Sequence, residues 1–475
     1  MSVPPPAAPA PLAGGPAGPA ALRPLLDTVL TALTTGARDR SGPLPAGGPA
    51  HTAAQLHRAA HPLLPATGSG PHEALRALVH ALAAGAADPA HPHCTAHLHC
   101  PPLAVAAAAD LAASALNPSM DSWDQAPAAS ALEDALTRTL AAEIFPDAAH
   151  PDALITTGGT ESNQLALLLA REKHAHHGPL QLVVGANAHH SLTRAAWLLG
   201  LPEPVVVPAP SGTLDPAALD QALTQLHRPT LVAATAGTTD TGQIDPLPDI
   251  ADLCRHHRAG LHVDAAYGGP LLFSPTHRHL LTGLDRADTL TLDLHKLGWQ
   301  PVAAGILAVP DTTALAPLAH QADYLNADDD TDAGLPDLLG RSLRTTRRPD
   351  ALKIAVTLKA LGRDGLADLV DRTLAAARHL ADLIEKHPGL ELHDRPTLTT
   401  VLFRPTRATD DDIAHLRRRL LQQGRAVLGR TRAAGRLWLK ATLLNPHTTP
   451  DDLENLLDHV LSHYTPAHPE RHTHR

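Results

Sequence analysis

The stretch Thr291-Leu-Asp-Leu-His-Lys-Leu-Gly-Trp-Gln300 decides how the fold of this chain is interpreted. Lys296 is the only lysine between Lys173 and Lys353, although arginine is common throughout the chain. A lysine amine can lose its proton and form a Schiff base, which arginine cannot do. A desolvated amine downstream of Asp264 therefore indicates an anchor for pyridoxal 5'-phosphate, which needs a lysine imine and an acidic partner for its pyridine nitrogen.

Length and composition exclude several classes of protein. The 475 residues suffice for two or three domains with sizeable cores. A net charge of -10 without a dense Lys/Arg stripe argues against nucleic-acid binding. No apolar run reaches the roughly 18 residues of a membrane helix, and the N-terminus lacks the pattern of a secretory signal. Three cysteines do not suit a disulfide framework. The sequence therefore predicts a soluble cytoplasmic enzyme without nucleic-acid or membrane partners.

Composition and periodicity divide the chain into four segments. They are a disordered Ala/Pro-rich leader (1–20), an N-terminal helical segment (21–100), a large cofactor-binding domain (101–365) and a small C-terminal α+β domain (366–475). In the second segment we predict amphipathic helices at Leu22–Leu33 and Pro71–Leu82, separated by the Gly/Pro-rich stretch 42–50. The tail His468–Arg475 is expected to be frayed.

From about residue 150, short apolar runs alternate with helical patterns. The runs are Ala153–Thr156, Leu180–Val184, Pro204–Val207, Thr230–Ala234, Leu261–Val263, Thr289–Leu292 and Ala303–Val309. Such alternation predicts βαβ units and a mostly parallel central sheet, an α/β fold. After about residue 350, two long helical patterns, strand-like runs at Leu398–Phe403 and Leu437–Leu443, and a helix from Pro450 predict the α+β domain.

A glycine-rich turn follows the first predicted strand, in Gly158-Gly-Thr-Glu-Ser-Asn163. Glycines allow a tight turn, and the N-terminus of the following helix directs free N–H groups and a partial positive charge at an anion. Threonine and serine hydroxyls add donors. The turn is therefore a candidate phosphate site; the alternative is an ordinary strand-to-helix turn with a capping residue.

Several side chains follow other predicted strands at the same edge of the sheet. Asp264 ends Leu261-His-Val-Asp264, and one crossover of about 30 residues returns the chain to that edge at Lys296. A carboxylate there can keep a pyridine nitrogen protonated, and the small Ala266 would let a ring lie flat. The alternative for Asp264 is a helix N-cap.

A histidine and two threonines complete this predicted edge. His189 follows the strand Leu180–Val184, and its flat imidazole can stack on a ring, although 33 histidines make one of them weak evidence. Thr238 and Thr239 follow the strand Thr230–Ala234. All of them would face one ligand at the carboxyl ends of parallel strands.

Five motifs occur together in the chain: Thr157–Asn163, Ala188–Ser191, Ala236–Thr239, His262–Tyr267 and Asp293–Lys296. From about His91 to about His459 the chain resembles the group II pyridoxal-phosphate-dependent decarboxylases, the family of aromatic amino acid and glutamate decarboxylases. The resemblance implies the aspartate-aminotransferase-like fold (PLP fold type I) and a homodimer whose active sites share residues of both subunits.

The resemblance also implies a role for each candidate residue. Lys296 would form the imine, Asp264 would pair with the pyridine nitrogen, and His189 would stack on the ring. Gly159 and Thr160 would hold the phosphate, and His295 would support the lysine and the phosphate. Thr239 would lie near the phenolic oxygen of the cofactor or the carboxylate of the substrate. Tyr324, in the polar segment Ala322–Asp332, matches the family's catalytic-loop tyrosine and would return a proton to the α-carbon or position the group that does. The alternative for Tyr324 is an interface residue.

Other segments resemble the bacterial decarboxylases of 2,4-diaminobutyrate, ornithine or lysine. They are Ala96–Pro101, Asn117–Gln125, Tyr324–Asn326, Ser342–Arg348 and Leu437–Pro446. Asp121 stands near a position where aromatic decarboxylases have a bulky aromatic residue, and a buried ammonium needs an acidic partner. Asp121 and Asp124 are therefore candidates for recognising a distal amine; the alternative is helix capping or a surface ion pair. The same resemblance places His97 and Cys100 at the mouth of the active site.

Three features leave alternatives open. His91, His93, Cys94, His97, His99 and Cys100 could form a zinc site, but the paired spacing of structural zinc sites is absent, so no metal is expected. Many relatives have tryptophan after the lysine, where this chain has Leu297. Many aromatic decarboxylases have asparagine three residues before the lysine, where this chain has Asp293. An acid near a phosphate is unfavourable unless it points away or is hydrogen-bonded. The resemblance implies a decarboxylase of a diamino acid such as 2,4-diaminobutyrate, ornithine or lysine. The competing functions are a decarboxylase of aromatic amino acids or glutamate and a zinc-binding or cofactor-less structural protein that has kept the fold.

Overall fold

A seven-stranded sheet lies between residues 152 and 309 of the computed structural model, which describes residues 10–320, 322 and 325–465. The strands are β1 (Asp152–Thr156), β2 (Gln181–Gly185), β3 (Val205–Val207), β4 (Thr230–Thr235), β5 (Gly260–Asp264), β6 (Thr289–Asp293) and β7 (Gly305–Val309). Their order is β1-β7-β6-β5-β4-β2-β3, and β7 alone runs against the others. The predicted α/β fold with a mostly parallel sheet is confirmed, and each predicted apolar run coincides with one strand.

Helices cover the sheet and build both ends of the described chain. They are α1 (Gly18–Arg40), α2 (Gly48–Ala60), α3 (Pro71–Gly85), α4 (Ala104–Leu116), α5 (Pro127–Ile144), α6 (Gly159–Lys173), α7 (His190–Leu198), α8 (Pro216–Thr224), α9 (Leu247–His257), α10 (Asp328–Asp332), α11 (Ala351–Lys386), α12 (Asp410–Gln422) and α13 (Pro450–His463). Most residues of β1, β2, β4, β6 and β7 are buried, because helices pack on both faces of the sheet. This burial explains why the strands read as continuous apolar runs rather than as alternating patterns.

The N-terminal segment differs from its prediction in two places. Helix α2 was not predicted, and it begins at Gly48, inside the stretch 42–50 that was expected to be a loop. It has a proline in its first turn, where proline is tolerated, and its one large apolar residue, Leu56, is exposed. Helix α1 begins within the predicted leader 1–20, whose residues 1–9 lie outside the described part of the chain.

The C-terminal segment contains a second, antiparallel sheet. Its strands are β8 (Leu390–Leu392), β9 (Thr400–Pro405), β10 (Gly429–Ala433) and β11 (Arg436–Thr442), in the order β10-β11-β9-β8. The predicted strands correspond to β9 and β11. Strand β8 has three residues and β10 exposes alternate arginines, so neither forms the apolar run that prediction relies on. The predicted tail His468–Arg475 lies outside the described residues.

Two hydrophobic cores meet along α11. The core of the large sheet includes Leu374 of this helix, and the core of the C-terminal sheet begins at Ala377. The helix is kinked at Gly362, whose φ of 61° is left-handed. A domain boundary at residue 365 stays a prediction. In the part of the chain that the structure describes, no helix is both long and apolar enough to cross a membrane.

Candidate active site

A cavity of about 270 Å³ opens at the carboxyl edge of the seven-stranded sheet. The residues predicted to hold the cofactor all line it, namely Gly159, Thr160, His189, Thr239, Asp264, Ala266, His295 and Lys296. The remaining lining residues are Leu98, Thr157, Gly158, Thr235, Gly237, Tyr267 and Asp293. The loops after β1, β2, β4, β5 and β6 thus bring together residues that lie far apart in sequence.

The carboxylate of Asp264 is held at the end of β5 on both of its oxygens. Oδ1 accepts a hydrogen bond from the backbone N–H of Ala266 (3.1 Å), and Oδ2 accepts one from Nδ2 of Asn163 (2.8 Å). Asp264 is only 5% exposed, so these bonds replace the water that it would otherwise bind. The fold therefore fixes a negative charge at one point of the cavity wall.

Asn163, the last residue of the motif Thr157–Asn163, had no predicted role, but its side-chain amide connects Asp264 to three further residues. Its Nδ2 also donates to Oγ of Ser191 (2.9 Å), and its Oδ1 accepts from Thr291 Oγ1 (2.8 Å) and His262 Nε2 (3.0 Å). All four hydrogen-bonding positions of the buried amide are filled. The sequence signal that could have found it is a polar asparagine just before the leucine run of α6.

Two histidines are kept neutral beside Asp264. Burial lowers the pKa of His262 to about 4, against an opposing effect of Asp264. Burial also lowers the pKa of His189, whose Nδ1 lies 2.8 Å from Oγ of Ser191 and 3.3 Å from that residue's backbone nitrogen. Since the backbone N–H donates to Nδ1, the proton of the neutral His189 ring lies on Nε2.

The turn Gly158–Thr160, here called the phosphate cradle, needs its glycines. Gly158 has φ 144°, and a Cβ added there would lie 2.9 Å from Cε1 of His295. A Cβ on Gly159 would lie 3.0 Å from Cβ of Ala266. No side chain caps the first turn of α6, so its backbone N–H groups remain available to an anion.

Lys296 forms an ion pair beside the phosphate cradle. Its Nζ lies 3.0 Å from Oδ2 of Asp293, and Nε2 of His295 lies 3.5 Å from the same oxygen. Asp293 is 2% exposed, and its Oδ1 has no hydrogen-bond partner among the described residues. Burial lowers the pKa of His295, with Asp293 opposing that effect. Asp293 therefore points into the cavity rather than away from it.

The loop that carries Lys296 is anchored from behind. The indole N–H of Trp299 donates to the carbonyl of Leu444 (2.8 Å), and the thiol of Cys100 donates to the carbonyl of His295 (3.2 Å). Trp299 is fully buried with a left-handed φ of 52°, which tertiary contacts must hold in place. These contacts fix the direction in which Lys296 leaves the loop.

The residues predicted to meet the substrate do not line this cavity. His97 is exposed, and Cys100 is buried beneath His295 with a pKa raised by burial to about 12, while Leu98 between them reaches the cavity wall. Asp121 is 8% exposed, and its Oδ1 has no partner among the described residues. Tyr324 lies outside the described residues.

The histidine-rich stretch before Cys100 packs against α13. Nε2 of His93 lies 3.1 Å from the carbonyl oxygen of Asp452, and the rings of His93 and His459 meet edge to face with centroids 5.2 Å apart. Within residues 10–320, 322 and 325–465, no three His, Cys, Asp or Glu side chains are placed to hold a metal ion. This cluster therefore joins the N-terminal segment to helix α13.

Lys440 of β11 is a neighbour of the cavity that the sequence prediction missed. Its Nζ donates to the carbonyl of Thr239 (3.0 Å), and burial lowers its pKa against an opposing effect of Asp240. No carboxylate lies within ion-pairing distance among the described residues. The scarcity of lysine that singled out Lys296 would have singled out Lys440 as well.

Comparison with known proteins identifies the family. Residues 71–406 match the pyridoxal-dependent decarboxylase conserved domain. The chain belongs to this family. It is 41% identical over 416 residues to an L-2,4-diaminobutyrate decarboxylase of Rhizobium meliloti, covering 84% of this chain and 83% of that protein. An L-2,4-diaminobutyrate decarboxylase of Acinetobacter baumannii is 34% identical, covering 78% and 80%.

A solved structure extends the likeness to the fold. The glutamate decarboxylase domain of the diaminobutyrate-pyruvate transaminase and L-2,4-diaminobutyrate decarboxylase from Vibrio parahaemolyticus superposes with a TM-score of 0.85 at 32% identity, covering 96% of this chain and 97% of that one. This decarboxylase family uses pyridoxal phosphate. The cavity suits that cofactor, because it combines a lysine amine, a fixed carboxylate and glycines whose replacement would fill the cradle.

Proposed function

We propose that this decarboxylase acts on L-2,4-diaminobutyrate or a close diamino acid such as ornithine or lysine, releasing carbon dioxide and the corresponding amine. The observation that carries the choice of substrate is the 41% identity to a named L-2,4-diaminobutyrate decarboxylase over most of both chains. An aromatic or glutamate-type amino acid is the alternative substrate. The three free thiols suit a cytoplasmic location, which cell fractionation would check.

We propose that the residues of the cavity divide the work of the reaction. Pyridoxal phosphate, when bound, supplies a carbonyl for amines and a ring that accepts the electron pair left as carbon dioxide departs. Lys296 would hold the cofactor and give way to the substrate amine, and the carboxylate of Asp264 would hold a proton on the ring nitrogen. His189 would press its neutral ring on the cofactor, and the phosphate cradle with Thr239 and His295 would fix its polar ends.

Proton return is assigned to Tyr324 in this proposal. After carbon dioxide leaves, the α-carbon must receive one proton before the amine is released. The phenol of Tyr324, or a group that it positions, is the proposed donor because the segment around it matches the family's catalytic loop. His97 and Cys100 are kept as proposed mouth residues, although Leu98 is the residue of that segment that lines the cavity.

Asp121 is the proposed partner of the substrate's distal ammonium. A nearly buried carboxylate oxygen without a hydrogen bond is costly in isolation and is suited to a cation. Asp121 does not line the cavity of its own chain, which is consistent with a homodimer whose subunits complete each other's active sites. That homodimer is part of the proposal.

A substrate panel tests this proposal. Carbon dioxide release is measured for 2,4-diaminobutyrate, ornithine, lysine, glutamate and an aromatic amino acid with the unmodified enzyme and with Asp121→Asn, Asp124→Asn and Tyr324→Phe. We expect 2,4-diaminobutyrate to be preferred and Asp121→Asn to raise KM for it by about tenfold or more. Tyr324→Phe should lower kcat for every substrate by about a hundredfold with little change in KM.

Asp124→Asn is the matched control for the loss of one carboxylate from the same segment. Asp124 is exposed and already accepts a hydrogen bond from Ser122 (2.6 Å), so its KM should change little. Preference for glutamate or an aromatic substrate would contradict the proposed substrate class. An Asp121→Asn enzyme with unchanged KM would remove Asp121 from substrate recognition.

A further inference from the structure

The carboxylate of Asp293 lies between the lysine and the phosphate cradle. Its Oδ2 is 3.0 Å from Nζ of Lys296 and would be 3.2 Å from a Cβ placed on Gly159. Its Oδ1 would be 3.7 Å from a Cβ on Gly158. The same carboxylate therefore touches the two groups that must receive the cofactor, the amine and the anion-binding turn.

The charge of Asp293 has little compensation besides Lys296. Among the described residues, Lys296 is the one Lys or Arg whose side chain lies within ion-pairing distance of it. His295 is the other neighbour, and burial lowers its pKa, which favours a neutral ring at physiological pH. A carboxylate that is 2% exposed cannot rely on water for compensation. Its effect on the phosphate cradle is therefore set by whether Lys296 is present beside it.

We propose that Asp293 is a positioning residue that couples Lys296 to the phosphate cradle. Paired with the lysine, its negative charge is neutralised, and the first turn of α6 attracts a phosphate without opposition. Without the lysine, the unpaired carboxylate repels the phosphate from the same corner. Lys296 thereby contributes to phosphate binding through Asp293, in addition to its covalent role. This effect on binding of the cofactor phosphate does not depend on which amino acid is decarboxylated.

Binding of phosphorylated and unphosphorylated cofactor separates this effect from a general loss of structure. Cofactor-free Lys296→Ala and Lys296→Ala/Asp293→Asn enzymes bind either form without a covalent bond, so dissociation constants are measurable by titration. We expect the double variant to bind pyridoxal phosphate about tenfold or more tightly than the single variant. Binding of pyridoxal, which has no phosphate, should change less than about twofold in the same comparison.

The matched control is Lys296→Ala/Asp252→Asn. Asp252 is exposed on α9 beside Arg286, so this change removes the same charge from a surface that solvent screens. It should leave both dissociation constants unchanged. Equal gains for pyridoxal and pyridoxal phosphate in the Asp293→Asn background, or no gain for either, would overturn the proposal.

A second variant keeps the proposal testable if the double variant does not fold. Lys296→Arg preserves a cation beside Asp293 and removes the reactive amine. We expect it to bind pyridoxal phosphate about tenfold more tightly than Lys296→Ala while both bind pyridoxal alike. Equal binding of pyridoxal phosphate by the two single variants would contradict the coupling. Thermal unfolding of each variant establishes beforehand that the folded proteins are being compared.

Discussion

Asp264 and Asp293 end neighbouring strands of one sheet and face one cavity, yet their carboxylates have different kinds of partners. Both oxygens of Asp264 accept hydrogen bonds from groups that cannot leave, the backbone of Ala266 and the amide of Asn163. Asp293 has one oxygen paired with Lys296 and the other without a partner among the described residues. The hydrogen-bond partners of the Asp264 carboxylate are therefore fixed by the fold, whereas the Asp293 carboxylate depends for its pairing on Lys296, the proposed cofactor anchor.

Replacing each carboxylate by its amide gives the largest expected difference. Asp264→Asn should lower kcat by about a thousandfold, because a fixed charge directed at the reacting system is lost. Asp293→Asn should lower kcat by less than about tenfold, since it acts through Lys296. Steady-state kinetics with saturating cofactor measures both. Equal losses in the two variants would mean that the carboxylates share one role.

Removing the hub of the Asp264 network should affect stability. Asn163→Ala leaves Asp264, His262 and Thr291 each short of a buried hydrogen bond, and we expect a loss of about 3 kcal/mol in the free energy of unfolding. Denaturant unfolding of the cofactor-free protein measures this loss. Asn445→Ala is the control: it breaks two exposed hydrogen bonds, one to the carbonyl of Ala90 and one from the backbone N–H of His447, and should cost about 1 kcal/mol or less because water replaces them. Similar losses would show that the network is not special.

The same network predicts a pH dependence of stability. The pKa of His262 is about 4 in the folded protein and about 6.5 when the chain is unfolded, so the unfolded state binds the proton first. The stabilisation from a neutral His262 is complete above pH 6.5 and is lost as the pH falls towards 4. The resulting loss in the free energy of unfolding is about 2 kcal/mol as the pH falls from 6.5 to 5. Unfolding free energies of the native protein and His262→Gln should converge over that interval; parallel curves would refute the assignment.

The sequence was sufficient to predict the sheet and the parts of the site that are short motifs. Continuous apolar runs identified all seven strands, and chemistry that only lysine provides identified Lys296. Helix α2 was missed because it begins inside a Gly/Pro-rich stretch and has only one large apolar residue, Leu56, which is exposed. Strand β10 was missed because every second residue is exposed at the edge of its sheet.

The contacts between distant segments could not be read from the chain. Asn163 joins α6 to β5, β6 and the first turn of α7, and no local pattern records which of its four partners it will meet. The resemblance that placed His97 and Cys100 at the mouth of the site did not single out Leu98, the residue of that segment that lines the cavity, while His97 is exposed. The pairing of Asp293 with Lys296 depends on the turn after β6, which periodicity does not describe.

The bond from Trp299 to Leu444 makes the C-terminal segment part of the support of the active site. The hydroxyl of Tyr267, which lines the cavity, lies 2.7 Å from Oγ1 of Thr399 and 3.0 Å from Oγ1 of Thr400 in the same segment. The C-terminal segment thus supports the cavity at two places, although none of its described residues lines it. An exchange of C-terminal segments between relatives must therefore preserve both members of each contact pair. A segment that matches only in overall shape would leave the loop of Lys296 without this support.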